Sequence, residues 1–339
     1  MKELLKRVVE GEKLGEQESF ELMNQIMKGK VSTGQLMSLL SVLRYRGETV
    51  EEMTGFARAM RSNMLKMDIE DDAVIDTCGT GGDGSSTFNI STAVAIVLAA
   101  VGVKVAKHGN RKVSSKSGSA DVLEMLGMPL EVTPEEGKRA LEEKRMTFLF
   151  APNYHQAMKH AVPARQELGF RTVFNLLGPI SNPAQTKRQL IGIYDTSYGE
   201  KLAGTMKALG SKHVLLVTGR DGLDEITITG ETDIVELNDG EITRYTLSPE
   251  EVGLKRGKLE DIQIVHPAES AAIIQDIVYN KANDSARDIV LMNAAAGLYI
   301  AGEAKSIQAG VKQVRKALDE GVVREYFEAI THTKEQKYA

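Results

Sequence analysis

DTCGTGGDGSSTFNIST, residues 76–92, contains four glycines within the six positions from Gly79 to Gly84, and three hydroxyl side chains follow them. An apolar run at 73–75 precedes this stretch and another at 93–101 follows it, which is typical of a strand, a glycine-rich turn and a helix. Glycine tolerates positive φ and lets backbone N–H groups approach an anion, and the helix adds the positive end of its dipole. The stretch therefore predicts a phosphate-binding loop, which we call the glycine loop (residues 79–87).

Two other interpretations of the glycine loop remain open from its own residues. Gly79 and Gly84 have the GxxxxG spacing of a P-loop, but Ser85 stands where a P-loop has its lysine, so a nucleoside triphosphatase is disfavoured. The other interpretation is a solvated turn without a ligand, because glycine and serine are common turn residues. The flanking strand and helix favour the phosphate site over the turn.

The composition is that of a soluble globular protein long enough for two domains. The chain has 339 residues, of which 42% are hydrophobic and 26% charged, and a net charge of −5. This acidity, without a block of basic residues, argues against nucleic-acid and membrane partners. The single cysteine, Cys78, excludes an intramolecular disulfide and is predicted to be buried rather than nucleophilic. With no signal peptide and no apolar run of membrane length, we expect a cytoplasmic protein.

Two regions of the chain differ in their periodicity. Residues 1–68 have helical patterns, with capping boxes that begin at Ser32 and Thr49. From residue 73 onward short apolar runs alternate with helical patterns, which predicts an α/β fold with a mostly parallel central sheet flanked by helices. The predicted strands lie at 74–75, 103–105, 147–150, 189–194 and 213–218, and a β-hairpin is predicted at 234–246 around Asn238-Asp239-Gly240.

These regions predict a small N-terminal helical domain, residues 1–68, and a larger α/β domain, residues 69–339. A segment near 161–183 is expected to return and join the helical domain. Ligands of parallel sheets bind at the carboxyl ends of the strands, so the loops after the strands are expected to carry the chemistry.

A second polar loop follows the predicted strand at 103–105. Residues 107–119 carry four cationic side chains, four serines and two glycines. An exposed basic loop of this kind is common, but ammonium and hydroxyl groups together also suit a phosphate ligand. Because the loop belongs to the next strand–helix unit, we predict that it lies beside the glycine loop and binds the same anion.

A third loop, residues 219–225, follows the strand that ends near Thr218. Its adjacent carboxylates, Asp224 and Glu225, suit a hard cation such as Mg²⁺, and they equally suit a solvated acidic turn. Proximity to a phosphate loop favours the metal, because Mg²⁺ commonly bridges carboxylates and ligand phosphates.

Two further features are weaker candidates for function. Arg165 could bind a carboxylate through two hydrogen bonds, although a lone arginine is more often a surface salt-bridge partner. The sequence GPISNP at 178–183 predicts a turn between domains.

Together these stretches resemble the anthranilate phosphoribosyltransferases, enzymes of the tryptophan pathway. The motifs occur in order over nearly the whole chain, and in combination they are specific, whereas any one alone is not. Ile180, where leucine is common, is a minor departure. The stretches that carry the resemblance are DTCGTGGDG (76–84), FNIST (88–92), KHGNRKVSSKSGSADVLE (107–124), RTVFNLLGPISNP (171–183) and GLDEI (222–226).

The resemblance implies a homodimer that transfers the phosphoribosyl group of 5-phosphoribosyl 1-pyrophosphate to the amino group of anthranilate and releases pyrophosphate. It implies anthranilate contacts from Gly79, Asn110 and Arg165. It implies two Mg²⁺ ions per monomer, held by Ser91, Asp224 and Glu225. Because the amine of anthranilate is neutral at pH 7, we assign no side-chain nucleophile or general base. The residues implied to bind the phosphoribosyl donor are Gly79, Gly82, Asp83, Thr87, Asn89, Ile90, Ser91, Thr92, Lys107, His108, Gly109, Asn110, Arg111, Lys112, Val113, Ser114, Ser115 and Ser119.

Two alternatives on a similar scaffold are a pyrimidine nucleoside phosphorylase and a non-catalytic relative that binds nucleic acid. The phosphorylase uses inorganic phosphate and has no need of a metal-binding carboxylate pair, so Asp224 and Glu225 argue against it. The net acidity of the chain argues against the nucleic-acid binder.

Overall fold

The computed structural model of the protein describes residues 1–112, 117–130 and 132–331. Its N-terminal part is a layer of four helices: α1 (Lys2–Val9), α2 (Glu16–Met27), α3 (Thr33–Arg46) and α4 (Val50–Ser62). Both predicted capping boxes are present, with Ser32 accepting from the Gln35 backbone N–H and Thr49 from that of Glu52. The helices bury one apolar face each, and α2 packs along α4.

The rest of the described chain is built on one sheet of seven strands. These are β1 (Ile75–Gly79), β2 (Val105–Gly109), β3 (Met146–Phe150), β4 (Arg188–Gly192), β5 (His213–Gly219), β6 (Thr232–Asn238) and β7 (Glu241–Leu247). Their order is β3-β2-β1-β4-β5-β6-β7, with the first five parallel and the last two antiparallel. The prediction of a mostly parallel sheet is confirmed.

The predicted hairpin is also confirmed, between β6 and β7. Asp239 and Gly240 form its turn with φ angles of 45° and 88°, the positive values that a tight two-residue hairpin turn requires.

Helices cover both faces of this sheet. They are α5 (Ile90–Ala100), α6 (Ser119–Met125), α7 (Pro134–Lys144), α8 (Ala151–Tyr154), α9 (Val162–Leu168), α10 (Val173–Leu177), α11 (Gly199–Ala208), α12 (Pro267–Val278), α13 (Asp284–Ala301), α14 (Ile307–Asp319) and α15 (Val322–Thr331). The nearly fully buried α13 packs against α5 and α14 and forms the centre of the larger apolar core. None of the helices in the described ranges has both the length and the hydropathy needed to cross a membrane.

The order of the strands places a crevice at the carboxyl end of β1. From β1 the chain runs outward to β2 and β3, and then returns to β4 on the other side of β1. At such a reversal the two following connections diverge and leave space for a ligand. Gly79 and Gly192 are paired at this edge, as the last residues of β1 and β4.

The segment at 178–183 is more buried than its prediction as a turn between domains suggests. Pro179–Ser181 forms one 3₁₀ turn whose three residues are all buried. The Ile180 carbonyl accepts hydrogen bonds of 2.7 and 3.0 Å from the Arg61 guanidinium of α4. The Asn182 amide donates to the Ala106 carbonyl of β2 at 2.8 Å. The turn is therefore an internal connection between the helical layer and the sheet.

Candidate active site

A cleft of about 610 Å³ lies where the loops after β1, β2 and β5 meet. Of the predicted donor residues that the structure describes, all except Thr92 and Lys112 line it, as do Arg165 and the carboxylate pair. Val113, Ser114 and Ser115 lie outside the described residues. Three loops that are far apart in sequence therefore meet in one cavity.

The glycine loop turns sharply at the floor of this cleft. Gly81, Gly82 and Gly84 have φ angles of 68°, 76° and 78°, a region that favours glycine. The loop leads to the N-terminus of α5 at Ile90, so the backbone of the turn and the positive end of a helix dipole face the same space. The side chain of Asn89 has structural partners, because its amide lies 3.4 Å from the Ser117 carbonyl and its oxygen accepts from Ser270.

Asp224 closes over the ends of β1 and β4. Its Oδ2 accepts a hydrogen bond of 2.8 Å from the Gly81 backbone N–H. A Cβ on Gly79 would lie 2.6 Å from that Oδ2, and a Cβ on Gly192 would lie 1.5 Å from the Asp224 carbonyl oxygen. Glycine at both strand ends is thus what lets the acidic loop approach the glycine loop.

The half-buried carboxylates Asp224 and Glu225 favour a cation in this part of the cleft. Burial, together with the nearby charge of Asp83, raises the pKa of Asp224 to about 7. Burial and the adjacent Asp224 raise the pKa of Glu225 well above its ordinary value, and Lys107 opposes that shift. Within the described ranges, no three His, Cys, Asp or Glu side chains converge as a complete metal site. Two carboxylates with the Ser91 hydroxyl fit a Mg²⁺ ion whose remaining ligands are water and substrate phosphate.

Lys107 differs from its prediction as a loop residue. Strand β2 continues to Gly109 by pairing with β3, so Lys107 is a strand residue and only 1% exposed. Its Nζ donates to the Thr77 carbonyl at 2.6 Å and to Ser91 Oγ at 3.1 Å. Burial lowers the pKa of Lys107, and the charge of Asp76 opposes this. Its ammonium group therefore holds Ser91 in place at the floor of the cleft instead of projecting from a loop.

Three other predicted donor residues also have different surroundings from those expected. Thr92 is fully buried inside α5 and does not line the cleft. The Arg111 guanidinium is paired with Asp121 at 3.1 Å and with Glu124 at 2.9 Å, so its charge is already compensated. Lys112 is exposed, and its backbone N–H donates to Asp121 at 3.0 Å.

Another part of the cleft lining combines an apolar wall with the cation of Arg165. In the described part of the chain, no carboxylate lies within ion-pair distance of Arg165, and its guanidinium lies 5.6 Å from the centre of the Phe174 ring. Burial lowers the pKa of Arg165. A partly buried cation without a partner beside apolar surface suits an aromatic carboxylate. The apolar side chains are Met60, Met158, Val162, Phe174 and Pro179.

Sequence patterns did not identify this apolar wall or the role of Gly192. Met60 comes from α4 and the other wall residues from segments after β3, and ordinary helical and turn patterns give no sign of a ligand. Gly192 ends a strand without any loop motif. Its role is indicated by its pairing with Gly79 at the ends of β1 and β4, and that pairing is visible only in the structure.

The burial of His155 predicts that the stability of the fold depends on pH. His155 is buried beside His108, with the ring centres 5.1 Å apart, and burial lowers its pKa from 6.5 to about 4. Between pH 7 and pH 5 the unfolded chain therefore takes up a proton at His155 that the folded protein does not. We expect the free energy of unfolding to fall over this range, by about 2 kcal/mol from His155 alone.

Urea unfolding at pH 7, 6 and 5 measures this dependence. In the His155→Gln variant, the fall in unfolding free energy between pH 7 and pH 5 should be smaller by most of the contribution of His155. In His266→Gln, a change at an exposed position, the fall should be the same as in wild type. A slope that is the same in wild type and His155→Gln would contradict the expectation. Burial and His155 also lower the pKa of His108, so His108 contributes in the same direction.

Comparison with known proteins extends these observations to the whole chain. Residues 2–64 match the family model "Glycosyl transferase family, helical bundle domain", and residues 71–323 match "Glycosyl transferase family, a/b domain". An anthranilate phosphoribosyltransferase of Geobacillus sp. (strain WCH70) is 56% identical over 338 residues, which cover 100% of this chain and 99% of the relative.

Solved structures agree with the sequence relatives. Anthranilate phosphoribosyltransferase from Thermus thermophilus superimposes with a TM-score of 0.91 at 41% identity, over 96% of this chain and 98% of that one. The Saccharomyces cerevisiae enzyme in complex with PRPP and Mg has a TM-score of 0.88 at 24% identity, over 98% and 97%. The same enzyme in complex with 4-fluoroanthranilate has a TM-score of 0.87 at 23% identity, over 98% and 97%. At these identities the yeast structures compare only the fold.

Proposed function

Because the chain belongs to the anthranilate phosphoribosyltransferase family, we propose that the cleft between its loops is where this family's reaction takes place. The enzyme transfers the phosphoribosyl group of 5-phosphoribosyl 1-pyrophosphate to the amino group of anthranilate and releases pyrophosphate, a step of tryptophan biosynthesis. The observation that carries the proposal is the polarity of the cleft. One part of its lining is the glycine loop with two carboxylates, and another part is an unpaired arginine beside an apolar wall.

The donor is proposed to bind at the glycine loop. The backbone N–H groups of Gly82 and Asp83 would bind its pyrophosphate, and the dipole of α5 would add positive potential at the same place. Asp224, Glu225 and Ser91 would hold Mg²⁺, with two ions per monomer, and the yeast complex with PRPP and Mg supports the metal. When bound, Mg²⁺ neutralises negative charge on the leaving pyrophosphate.

Positioning and charge stabilisation account for the transfer. The bond between the anomeric carbon and pyrophosphate breaks, so positive charge grows on the ribose and negative charge on the leaving group. The glycine-loop N–H groups stabilise that negative charge. The amine of anthranilate is neutral at pH 7 and needs no base before it attacks, so no nucleophile or general base is assigned. The chain must then hold the amine near the anomeric carbon, and Arg165, Asn110 and Gly79 are proposed to do so.

The assay that tests this proposal measures formation of phosphoribosylanthranilate from both substrates over a range of Mg²⁺ concentrations. We expect product only when Mg²⁺ is present. Absence of product at every Mg²⁺ concentration would refute the proposal. Phosphorolysis of uridine or thymidine without Mg²⁺ would instead support the pyrimidine nucleoside phosphorylase.

Replacement of Arg165 by alanine tests the acceptor end. We expect the KM for anthranilate to rise by about 10–100-fold, because a charged hydrogen-bonding partner of the carboxylate is lost, while the KM for the donor changes by about 2-fold at most. Steady-state kinetics with each substrate varied in turn measure both values. Preference for anthranilate over aniline, which has no carboxylate, should fall in parallel.

The control for Arg165→Ala is Arg139→Ala, an exposed arginine of α7 that does not line the cleft. It should leave both KM values and the preference over aniline unchanged. Equal rises in both KM values for Arg165→Ala would contradict an acceptor-specific role.

Assembly, location and domain division are proposed as well. A homodimer is supported by apolar side chains on the helical layer, where Val9 is 59% exposed and Tyr45 94% exposed. A molar mass of a single chain by light scattering would contradict it.

The single buried Cys78 supports a reducing, cytoplasmic location, which fractionation of cells tests. Packing of α9 on α3 supports a helical domain of residues 1–68 joined by the returning segment 161–183, with the α/β domain at 69–339, and limited proteolysis tests these boundaries.

A further inference from the structure

Arg171 lies directly behind the glycine loop, in the connection between α9 and α10. A Cβ on Gly82 would lie 3.0 Å from its Nε and 3.2 Å from a terminal nitrogen, so the guanidinium is in contact with the backbone of the turn. On its other side the guanidinium carbon lies 4.2 Å from the centre of the Tyr194 ring. The guanidinium is therefore held between an aromatic ring and the turn.

The charge of Arg171 has no carboxylate partner within 4 Å among the residues that the structure describes. The other described cations near the donor end are committed elsewhere. Lys107 is bonded to Thr77 and Ser91, and Arg111 is paired with Asp121 and Glu124. Half-burial of an arginine without a partner has a cost unless its charge serves another group. The charge of Arg171 opposes the rise in the pKa of Asp224, and its guanidinium contacts the turn that is proposed to bind pyrophosphate.

Tyr194 is well placed to hold Arg171, because two other contacts fix it. Its backbone N–H donates to Thr80 Oγ1 at 3.1 Å, which ties it to the first residue of the glycine loop after β1. Its ring packs against Tyr198 at a centre-to-centre distance of 5.7 Å. The Tyr198 hydroxyl in turn accepts from the Arg44 guanidinium of α3 at 2.6 Å.

We propose that Arg171 is a positioning residue for the phosphoribosyl donor. With Tyr194 it clamps the Gly81–Asp83 turn in the conformation that presents the loop N–H groups to pyrophosphate. It acts through Gly82 and not by direct contact, since Arg171 does not line the cleft. The positive φ of Gly82 and the proximity of the guanidinium both require glycine at this position. The proposed donor site is the premise for this role.

Two substitutions each at Arg171 and Tyr194 separate the contributions of the arginine charge, of the stacking between guanidinium and ring, and of the tyrosine hydroxyl. Arg171→Lys keeps the charge but loses the planar group, and Arg171→Ala loses both. Tyr194→Phe keeps the ring beneath the guanidinium, and Tyr194→Leu removes it. Lys281→Gln is the matched control, because Lys281 forms a similar cation–ring contact with Tyr279 at 5.9 Å outside the cleft.

The first measurement is hydrogen exchange of the amides at 79–88 in the protein without substrates. We expect exchange to be about 10-fold faster in Arg171→Ala and Tyr194→Leu, and near wild type in Tyr194→Phe and Lys281→Gln. Because no substrate is present, this measurement tests the clamp even if the proposed reaction is wrong. Unchanged exchange in Arg171→Ala would overturn the clamp.

The second measurement is steady-state kinetics of the same variants. We expect the KM for the donor to rise about 10-fold in Arg171→Ala and less in Arg171→Lys, with the KM for anthranilate within about 2-fold of wild type. Added methylguanidine should partly restore donor use to Arg171→Ala. A purely structural role would change both KM values or the melting temperature without this split, and that outcome would also overturn the proposal. If Arg171→Ala fails to fold, the Tyr194→Leu and Tyr194→Phe pair gives the same comparison.

Discussion

Exchange of Asp224 for asparagine together with Glu225 for glutamine will abolish the Mg²⁺-dependent use of the phosphoribosyl donor. We expect kcat/KM for the donor to fall by about 10³-fold or more, because the charge of the leaving pyrophosphate is then not neutralised at this site. The two amides have nearly the same shape as the carboxylates, and the asparagine oxygen can still accept from the Gly81 N–H. The measurement is donor turnover as a function of Mg²⁺ concentration.

The stability of this double variant separates metal binding from folding. Burial raises the pKa of both carboxyl groups, aided by the charge of Asp83 at Asp224 and by that of Asp224 at Glu225, so their ionised forms are unfavourable in the metal-free protein. We therefore expect the melting temperature without Mg²⁺ to be equal to or higher than that of wild type, and the increase in melting temperature on adding Mg²⁺ with donor to vanish. Glu231→Gln, an exposed exchange outside the cleft, should retain that increase. An unchanged Mg²⁺ dependence of donor turnover in the double variant would reject the metal role.

The position of the cleft could be predicted from the sequence because it depends on topology alone. The carboxyl ends of parallel strands lie at one edge of the sheet, so polar loops after β1, β2 and β5 are expected at the same edge, with only β4 between β1 and β5. Predicting these loops and the hairpin at Asp239-Gly240 requires no knowledge of side-chain packing. Periodicity and turn chemistry are therefore sufficient.

The direction of individual side chains could not be predicted in the same way. The sequence predicts Lys107 in a loop because the predicted strand ends at residue 105, but pairing with β3 extends β2 to Gly109 and buries Lys107. Thr92 lies on a helix whose sequence is apolar on all sides, so no polar face shows which way its hydroxyl points. Both outcomes depend on tertiary contacts that override the local pattern.

Contacts between distant segments explain the remaining differences. Asp224 lies against Gly192 although the two are 32 positions apart in the sequence, and Met60 lines the cleft although it belongs to the helical layer. A single glycine at a strand end or a methionine on an amphipathic helix is compatible with many roles. Their significance emerges only when the neighbouring atom is known.

Replacement of Gly192 by alanine is expected to damage both stability and donor use. The new Cβ would overlap the Asp224 carbonyl oxygen at 1.5 Å and its carbon at 2.4 Å. Strand β4 cannot move away, because it is hydrogen-bonded to β1 on one side and to β5 on the other. The acidic loop must therefore shift, which we expect to cost about 1–3 kcal/mol of unfolding free energy and to lower kcat/KM for the donor by about 10²-fold.

A graded series of alanine substitutions tests this overlap quantitatively. At Gly79 the nearest atom is the Asp224 Oδ2 at 2.6 Å, the end of a side chain that can rotate, so Gly79→Ala should impair donor use while costing less stability than Gly192→Ala. At Gly230, after the same loop, a Cβ meets nothing within 4 Å, and Gly230→Ala should be neutral. Urea unfolding ranks the three variants by stability, and steady-state kinetics with the donor ranks them by donor use. If Gly192→Ala were as stable and active as Gly230→Ala, the acidic loop would not be held by this approach, and the placement of Asp224 as a metal ligand would lose its structural basis.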